Sequence, residues 1–145
     1  MKLIKKKFKY PKLQRVENEF GRFYIDSMGN EVPSVTNVLS STSDQSGIDE
    51  WKRRVGLEEA ERILEESLTI GSNVHNALEN FLQDNKWEIL DDGSFVSKTS
   101  ILILKTFIKN LISDINEVWG LEAGLILDGL YAGTADCIGI YKGEE

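Results

Sequence analysis

An aspartate lies inside a segment that otherwise has the pattern of a β-strand. Asp136 follows the residues GTA and precedes CIGI, in a run where apolar side chains alternate with others. Aspartate is disfavoured within strands, so a carboxylate at such a position often serves a function that outweighs its cost in stability. Two interpretations remain open: the side chain faces solvent at a strand end, or it belongs to a functional site.

A second carboxylate, that of Glu122, begins the strand-like segment before this one. In a hairpin Glu122 and Asp136 could come close together, and paired carboxylates are the ligands that hard cations such as Mg²⁺ require. Asp128 falls in the intervening turn, where aspartate commonly serves the turn itself. Cys137 points to the opposite face of the strand from Asp136 and is predicted to fill the core. The two carboxylates are therefore a candidate metal site.

His75 is the only histidine of the chain, and it lies in the amphipathic segment GSNVHNALENFL. Glu79 follows four residues later, so the two side chains share one face of a helix. This spacing allows a hydrogen bond within the helix, or two groups near one metal ion. A structural histidine at the border of the buried face is the alternative, and the spacing does not choose between them.

Positive charge is concentrated at the start of the chain, although the whole sequence carries a net charge of −7. Residues 1–15 hold seven of the 17 basic residues and no acidic one. Either this segment is a solvated terminus, or it binds polyphosphate through Lys5, Lys6 and Lys7, with nearby aromatic rings available to stack on bases. We treat residues 1–19 as a basic N-terminal arm.

A smaller basic cluster joins Arg53 and Arg54 to Trp51, either as an ordinary helix surface or as a contact for a phosphate backbone. The sequence contains no P-loop, no GxSxG motif and no zinc-type cysteine pair. No apolar run approaches the ~20 residues that cross a bilayer, and a single cysteine fits a reducing compartment. These features predict a soluble, intracellular protein without a membrane partner.

The order of predicted elements indicates an α+β class, or an α/β class with its sheet barely begun. The elements are a hairpin over 20–35, a short helix over 33–42, helices over 48–68 (broken at Gly56) and 69–85, a long helix over 99–120, and strands over 122–128 and 134–141. A lone hairpin is marginally stable in water. We therefore expect the final sheet to continue in residues that this chain lacks or in another chain.

Four segments in a fixed order carry a resemblance to a known family. They are GRFYIDSMGNEVPSVTNVLSST, WKRRVG, GSNVHNALENFL and EAGLILDGLYAGTADCIGIYKG. Together they resemble PD-(D/E)XK nucleases of the RecB-like exonuclease type, in particular phage exonucleases related to the mitochondrial genome maintenance exonuclease. The resemblance implies that residues 20–145 are the N-terminal part of an α/β nuclease-type domain with an incomplete sheet.

The resemblance also implies roles for individual residues. His75 and Asp136 would hold Mg²⁺ or Mn²⁺, Glu122 would support them in catalysis, and Ser34 and Thr36 would contact the DNA backbone at a helix start. The family completes this site with a (D/E)-x-K motif on a following strand, which this chain lacks. Hydrolysis of a phosphodiester needs a metal-activated water and stabilisation of charge. We therefore expect the chain alone to bind metal weakly and to cleave DNA very slowly or not at all.

The implied function is that of an N-terminal fragment of a metal-dependent DNA exonuclease, acting on single strands or DNA ends in the cytoplasm of a phage host. Its setting would be DNA replication, recombination or repair, and a separate chain would supply the missing C-terminal half. One alternative is a non-catalytic module that binds single-stranded DNA or a replication partner. Another is a helical interaction protein in which His75 and Asp136 are structural. Whether the chain alone is an enzyme stays open.

Overall fold

The fold is a mixture of helices and two small antiparallel sheets, which confirms the predicted α+β class. A computed structural model describes residues 3–145, so the first two residues of the predicted arm lie outside the described part. The strands are β1 (Gln14–Asn18), β2 (Gly21–Ile25), β3 (Glu31–Pro33), β4 (Ile115–Leu127) and β5 (Tyr131–Tyr141). The helices are α1 (Val35–Thr42), α2 (Ser46–Val55), α3 (Leu57–Leu82) and α4 (Phe95–Asn110). None of these helices has an apolar stretch long enough to cross a membrane.

The chain divides into two compact units, which we call the helical unit and the sheet unit. Among the described residues, the helical unit comprises Gln45–Glu117, Ile140–Glu145 and residues 3–4. The sheet unit comprises Lys5–Asp44 and Val118–Gly139. Strands β1, β2 and β3 and helix α1 therefore belong to the sheet unit, together with most of β4 and β5.

Strand β2 lies at the centre of a three-stranded sheet, because both neighbours are joined to it by tight turns. The register pairs Tyr24 with Arg15 on β1 and with Val32 on β3. Tyr24 and Val32 are buried and pack with Ala132 of β5 in the core of the sheet unit. The predicted hairpin is confirmed as β2 and β3, and β1 forms inside the segment that the sequence assigned to a basic arm.

The basic segment before β1 contacts β4 at three points. The Lys5 amide donates a hydrogen bond of 2.8 Å to the carbonyl of Val118. The Lys7 ammonium lies 3.5 Å from the ring centroid of Trp119. At Gly124 the two backbones are so close that a Cβ would come within 2.5 Å of a carbonyl oxygen of this segment. Much of the predicted arm is therefore packed against the sheet unit.

Helix α1 begins where the sequence predicts a short helix. Ser34 is buried and caps it, its hydroxyl oxygen accepting a hydrogen bond of 3.0 Å from the Asn37 amide. A single parallel bridge also pairs Ser34 with Ala132 of β5. The start of the outer edge of β5 is therefore paired within this chain, which corrects in part the expectation that the final sheet continues only outside it.

The break predicted near residue 69 does not occur, because α3 is one continuous helix from Leu57 to Leu82. Gly71 lies within it, and a mid-helix glycine costs only about 1 kcal/mol relative to alanine. The apolar positions continue in phase on both sides of the glycine, so packing outweighs that cost. The break predicted at Gly56 is confirmed, and its φ of 90° is a conformation that favours glycine.

The long helix predicted over residues 99–120 is wrong at both ends. Helix α4 starts earlier, at Phe95, because Ser94 caps it by accepting a hydrogen bond of 3.1 Å from the Ser97 amide. It ends at Asn110, a short 3-10 helix follows, and β4 begins at Ile115. Gly120 therefore lies inside a strand, because pairing of β4 with β5 outweighs the helical spacing of apolar residues after Asn110.

The core of the helical unit lies where α3 packs on α4. Leu104 of α4 is 2% exposed and belongs to the largest fully buried side chains among residues 3–145. Ala77 and Ser100 are buried small residues that allow the two helices to approach closely. The Asn73 side-chain amide donates a hydrogen bond of 3.4 Å to the Ser100 hydroxyl and links the helices. Leu104 is thus the residue where truncation should cost the helical unit most.

Candidate functional site

A cleft of about 650 Å³ opens in the sheet unit. Its polar lining includes two carboxylates, two guanidinium groups and several hydroxyl groups, among them those of Glu122, Asp136, Arg15, Arg22, Ser34 and Thr36. These residues come from strands β1, β2, β4 and β5 and from the start of α1. The cleft therefore gathers groups that attract a cation and groups that attract an anion.

Both carboxylates of the predicted metal site line this cleft. Asp136 lies on β5 and is exposed, as is Glu122 on β4. The hairpin predicted to bring them together is present, although its turn is shorter than expected and its strands are longer. A carboxylate that is exposed in a cleft can be reached by a hydrated cation from solvent, whereas one buried in the core cannot.

Glu122 has an unusual backbone conformation for a residue within a strand. Its φ of 49° lies in the left-handed region, which residues other than glycine seldom adopt. The strand loses its simple alternation on either side, with Val118 and Trp119 buried in succession and then Ala123 and Gly124. Strain of this kind costs about 1–3 kcal/mol and persists where surrounding structure enforces it, often at functional sites. Here the residue with the left-handed backbone conformation carries a carboxylate that lines the cleft.

Ser34 and Thr36, predicted to contact DNA, lie at the start of α1 and line the cleft. Ser34 is 3% exposed and its hydroxyl oxygen already accepts the capping hydrogen bond from Asn37. Thr36 is exposed. The N-terminal end of the helix carries partial positive charge, so it adds to the anion-attracting side of the cleft.

The remaining predicted residues are not among those that line the cleft. His75 is half-buried on α3 of the helical unit, beside a shallow depression that Ser67 and Ser72 also line. Its role as a metal ligand stays a prediction. Arg53 and Arg54 are exposed on α2 of the same unit, and the Arg53 Nε donates a hydrogen bond of 3.4 Å to the Asp49 carbonyl.

The three basic residues of the predicted arm, Lys5, Lys6 and Lys7, are exposed on the sheet unit. Lys7 contacts Trp119, so part of its charge is directed to an aromatic ring within the fold. Phe8 lies beside it, 54% exposed and edge-on to the same tryptophan. The Phe8 ring also contacts Tyr10 edge-on, and the stacking of these rings on bases stays a prediction.

Cys137 is exposed, which corrects the prediction that it fills the core. The strand alternation places it opposite Asp136, but no layer of the described residues covers that part of the face fully. Partial desolvation of the thiol raises its pKa, and the negative charge of Asp136 raises it further. The thiol therefore stays protonated at neutral pH and is a weak nucleophile.

Sequence reasoning missed Asp26, which joins two turns of the sheet unit. This aspartate is 5% exposed, and its carboxylate accepts hydrogen bonds of 3.0 Å from the Met28 amide and 2.8 Å from the Asn30 amide. A third bond of 2.8 Å comes from the amide of Gly129 in the β4–β5 turn. In the sequence, Asp26 in DSMGN has only the signal of ordinary turn chemistry.

Asp26 should make the stability of the protein depend on pH. Its burial by itself raises the pKa, but the hydrogen bonds from Gly129, Asn30 and Met28 outweigh this, so the folded pKa lies below the ordinary value of 3.8. The carboxylate therefore stabilises the fold above that pH, and this contribution is lost as pH falls through the lower folded pKa. Asp26→Asn is expected to melt at a lower temperature than the wild type at pH 7. The difference should shrink in thermal melts below about pH 4, and an unchanged difference at every pH would contradict the assignment.

The two arginines of the cleft were also missed. Arg15 and Arg22 occupy alternate positions of β1 and β2, on the face that carries Tyr24. The alternation in the sequence could have predicted their shared face, but not the cleft that they line.

Comparisons with protein-family models, curated proteins and solved structures gave no match for this chain. Its function is therefore argued from the composition of the cleft.

Proposed function

We propose that the chain is a metal-dependent nuclease domain of the exonuclease class that its motifs resemble, and that the cleft of the sheet unit binds Mg²⁺ or Mn²⁺ and a DNA phosphodiester. The observation that carries this proposal is that one cleft is lined both by the carboxylates of Asp136 and Glu122 and by the guanidinium groups of Arg15 and Arg22. Carboxylate oxygens bind a hard divalent cation, and guanidinium groups bind phosphate.

A divalent cation would resolve the conflict of charge within the cleft. Without a cation, the carboxylates of Asp136 and Glu122 repel a phosphate that approaches the arginines. A bound Mg²⁺ would reverse the local field and polarise the phosphoryl oxygens. The proposal therefore predicts that metal and DNA each promote binding of the other.

The other predicted residues have supporting roles in this proposal. Thr36 contacts the DNA backbone at the start of α1, which the buried Ser34 caps, and Lys5, Lys6 and Lys7 also bind the backbone. His75 stays a predicted metal ligand, and Arg53 and Arg54 stay predicted DNA contacts. Among residues 3–145, no lysine lines the cleft. Hydrolysis by this chain is accordingly expected to be slow, since no ammonium group is placed there to position water or stabilise charge. The proposed location is the cytoplasm, where DNA is accessible.

Metal-dependent binding of DNA tests the proposed function. A short fluorescein-labelled single-stranded oligonucleotide should bind at least about tenfold more tightly in Mg²⁺ than in EDTA, a difference of about 1.4 kcal/mol. Fluorescence anisotropy measures this affinity, and Mn²⁺ titration followed by electron paramagnetic resonance measures the metal alone. Equal affinity in Mg²⁺ and EDTA would contradict the proposal and favour a non-catalytic DNA-binding module, which the exposed Phe8 beside Lys7 would serve.

A further inference from the structure

The two arginines of the cleft share a single carboxylate partner. The register places Arg22 directly opposite Glu17, and Arg15 lies two residues before Glu17 on the same face of β1. The Arg15 Nη2 donates to the Glu17 Oε1 at 2.5 Å, and the Arg22 Nε lies 4.0 Å from that same oxygen. One carboxylate oxygen thus lies between two guanidinium groups.

This cluster is open to solvent and borders the cleft. The side chains of Arg15, Arg22 and Glu17 are 48%, 43% and 61% exposed. Both arginines line the cleft, whereas Glu17 is not among its lining residues. Because Glu17 is exposed, its carboxylate can move away into solvent without disturbing the packing of Tyr24 and Val32, which lie further along the same face.

We infer that Arg15 and Arg22 form a phosphate-binding subsite at the border of the cleft, and that Glu17 occupies this subsite as an internal competitor. The inference rests on the proposed function for the identity of the ligand, a phosphodiester of DNA. A phosphate oxygen would take the position of the Glu17 Oε1 between the two guanidinium groups. Charge-assisted hydrogen bonds from both arginines would hold it. In the free protein Arg15 donates such a bond to the carboxylate, whereas Arg22 attracts it from 4.0 Å.

An ion pair across an exposed sheet has a simpler explanation, because opposite charges on neighbouring strands stabilise their pairing modestly. Under that explanation, Glu17 supports β1 and β2 and has no effect on ligands. The attraction of both arginines lowers the pKa of Glu17, chiefly through the Arg15 hydrogen bond, so the carboxylate is charged at neutral pH in either case. The two explanations differ in what removal of the carboxylate does to affinity.

The test uses the full chain in EDTA, so that no metal ion takes part. Anisotropy of a short fluorescein-labelled oligothymidylate is measured for Glu17→Gln, Arg15→Gln and Arg22→Gln. Glu19→Gln is the matched control, because it removes one exposed negative charge close by and outside the arginine pair. Thermal melts of each variant show whether the β1–β2 pairing is retained.

The competitor model predicts a gain of affinity from the glutamate variant. Glu17→Gln should bind the oligonucleotide about fivefold more tightly than wild type, whereas Glu19→Gln should change affinity by less than about twofold. Arg15→Gln and Arg22→Gln should each weaken binding and lower the slope of log affinity against log salt by about one. In the Glu17→Gln background, loss of Arg15 should remove the gain.

Two results would overturn the inference: Glu17→Gln binding no more tightly than Glu19→Gln, or arginine variants that bind as wild type does. Neither result bears on whether Mg²⁺ strengthens DNA binding, so the proposed function would still stand if that dependence is observed. Conversely, a gain from Glu17→Gln without any effect of Mg²⁺ would support the phosphate subsite and reject the metal-dependent function. If Glu17→Gln lowers the melting temperature and leaves affinity unchanged, the pair is structural.

Discussion

Replacing Asp136 by asparagine is expected to strengthen DNA binding in EDTA and to weaken it in Mg²⁺. In EDTA the Asp136→Asn variant should bind an oligonucleotide more tightly than wild type, because one negative charge has left a cleft that two arginines line. In Mg²⁺ it should bind at least about tenfold more weakly than wild type, because the proposed metal ion would lose a ligand. Anisotropy titrations in EDTA and in Mg²⁺ measure the affinity of the variant and of the wild type under each condition.

Opposite changes of affinity in EDTA and in Mg²⁺ distinguish a metal ligand from a simple surface charge. Asp49→Asn makes the same chemical change at an exposed aspartate in the first turn of α2, so it controls for net charge. That control should shift affinity slightly and in the same direction in EDTA and in Mg²⁺. If Asp136→Asn behaves as Asp49→Asn does, Asp136 is not a metal ligand. Thermal melts should show that neither substitution unfolds the chain, since both side chains are exposed.

Truncation of Leu104 is expected to have the largest effect on stability. Leu104→Ala removes a side chain that is 2% exposed between α3 and α4, and it leaves a cavity that the helices fill only partly. The loss in unfolding free energy should be about 3 kcal/mol. Urea denaturation followed by circular dichroism measures this loss, which is large beside the ~5–15 kcal/mol that stabilise a typical domain.

A neighbouring leucine of the same helix provides the control for this prediction. Leu102 is 67% exposed, so Leu102→Ala makes the identical substitution on the solvent side of α4. It should change the unfolding free energy by less than about 0.5 kcal/mol. Equal losses at the two positions would mean that the packing of α4 on α3 is not as described.

Local chemistry made several elements predictable. The turn residues between β2 and β3 predict a hairpin, and the segment PSVTNVLSST predicts the short helix that Ser34 caps. Gly56 separates α2 from α3 because its φ of 90° suits glycine. Each of these features depends on interactions between residues a few positions apart, so it could be predicted from the local sequence.

Errors arose where a local preference was weak and distant packing decided the outcome. Helical spacing of apolar residues continues past Asn110, yet β4 begins at Ile115, because isoleucine, valine and tryptophan also suit a strand once β5 is beside it. Gly71 looked like a helix boundary, although the cost of a glycine in α3 is small compared with the packing of that helix.

The candidate site shows the same division. Asp136 and Glu122 were predictable as a pair, because carboxylates in strand-like segments on either side of a turn are unusual and a hairpin brings such segments together. The left-handed conformation of Glu122 was not predictable, because no glycine stands there and only the surrounding strands enforce it. Arg15 and Arg22 join the cleft through strands that are about a hundred residues away from β4 and β5 along the chain.

The sequence by itself determined the chemical groups and the short-range elements: carboxylates flanking a turn, a hairpin, a capped helix and a cationic segment before β1. Only the tertiary structure decided that this cationic segment packs beside β4, that Asp26 ties two turns together, and that Glu17 stands between two arginines at the edge of a cleft. The physical reason is that backbone preferences amount to ~1 kcal/mol per residue or less, whereas pairing and packing of remote segments sum over many contacts.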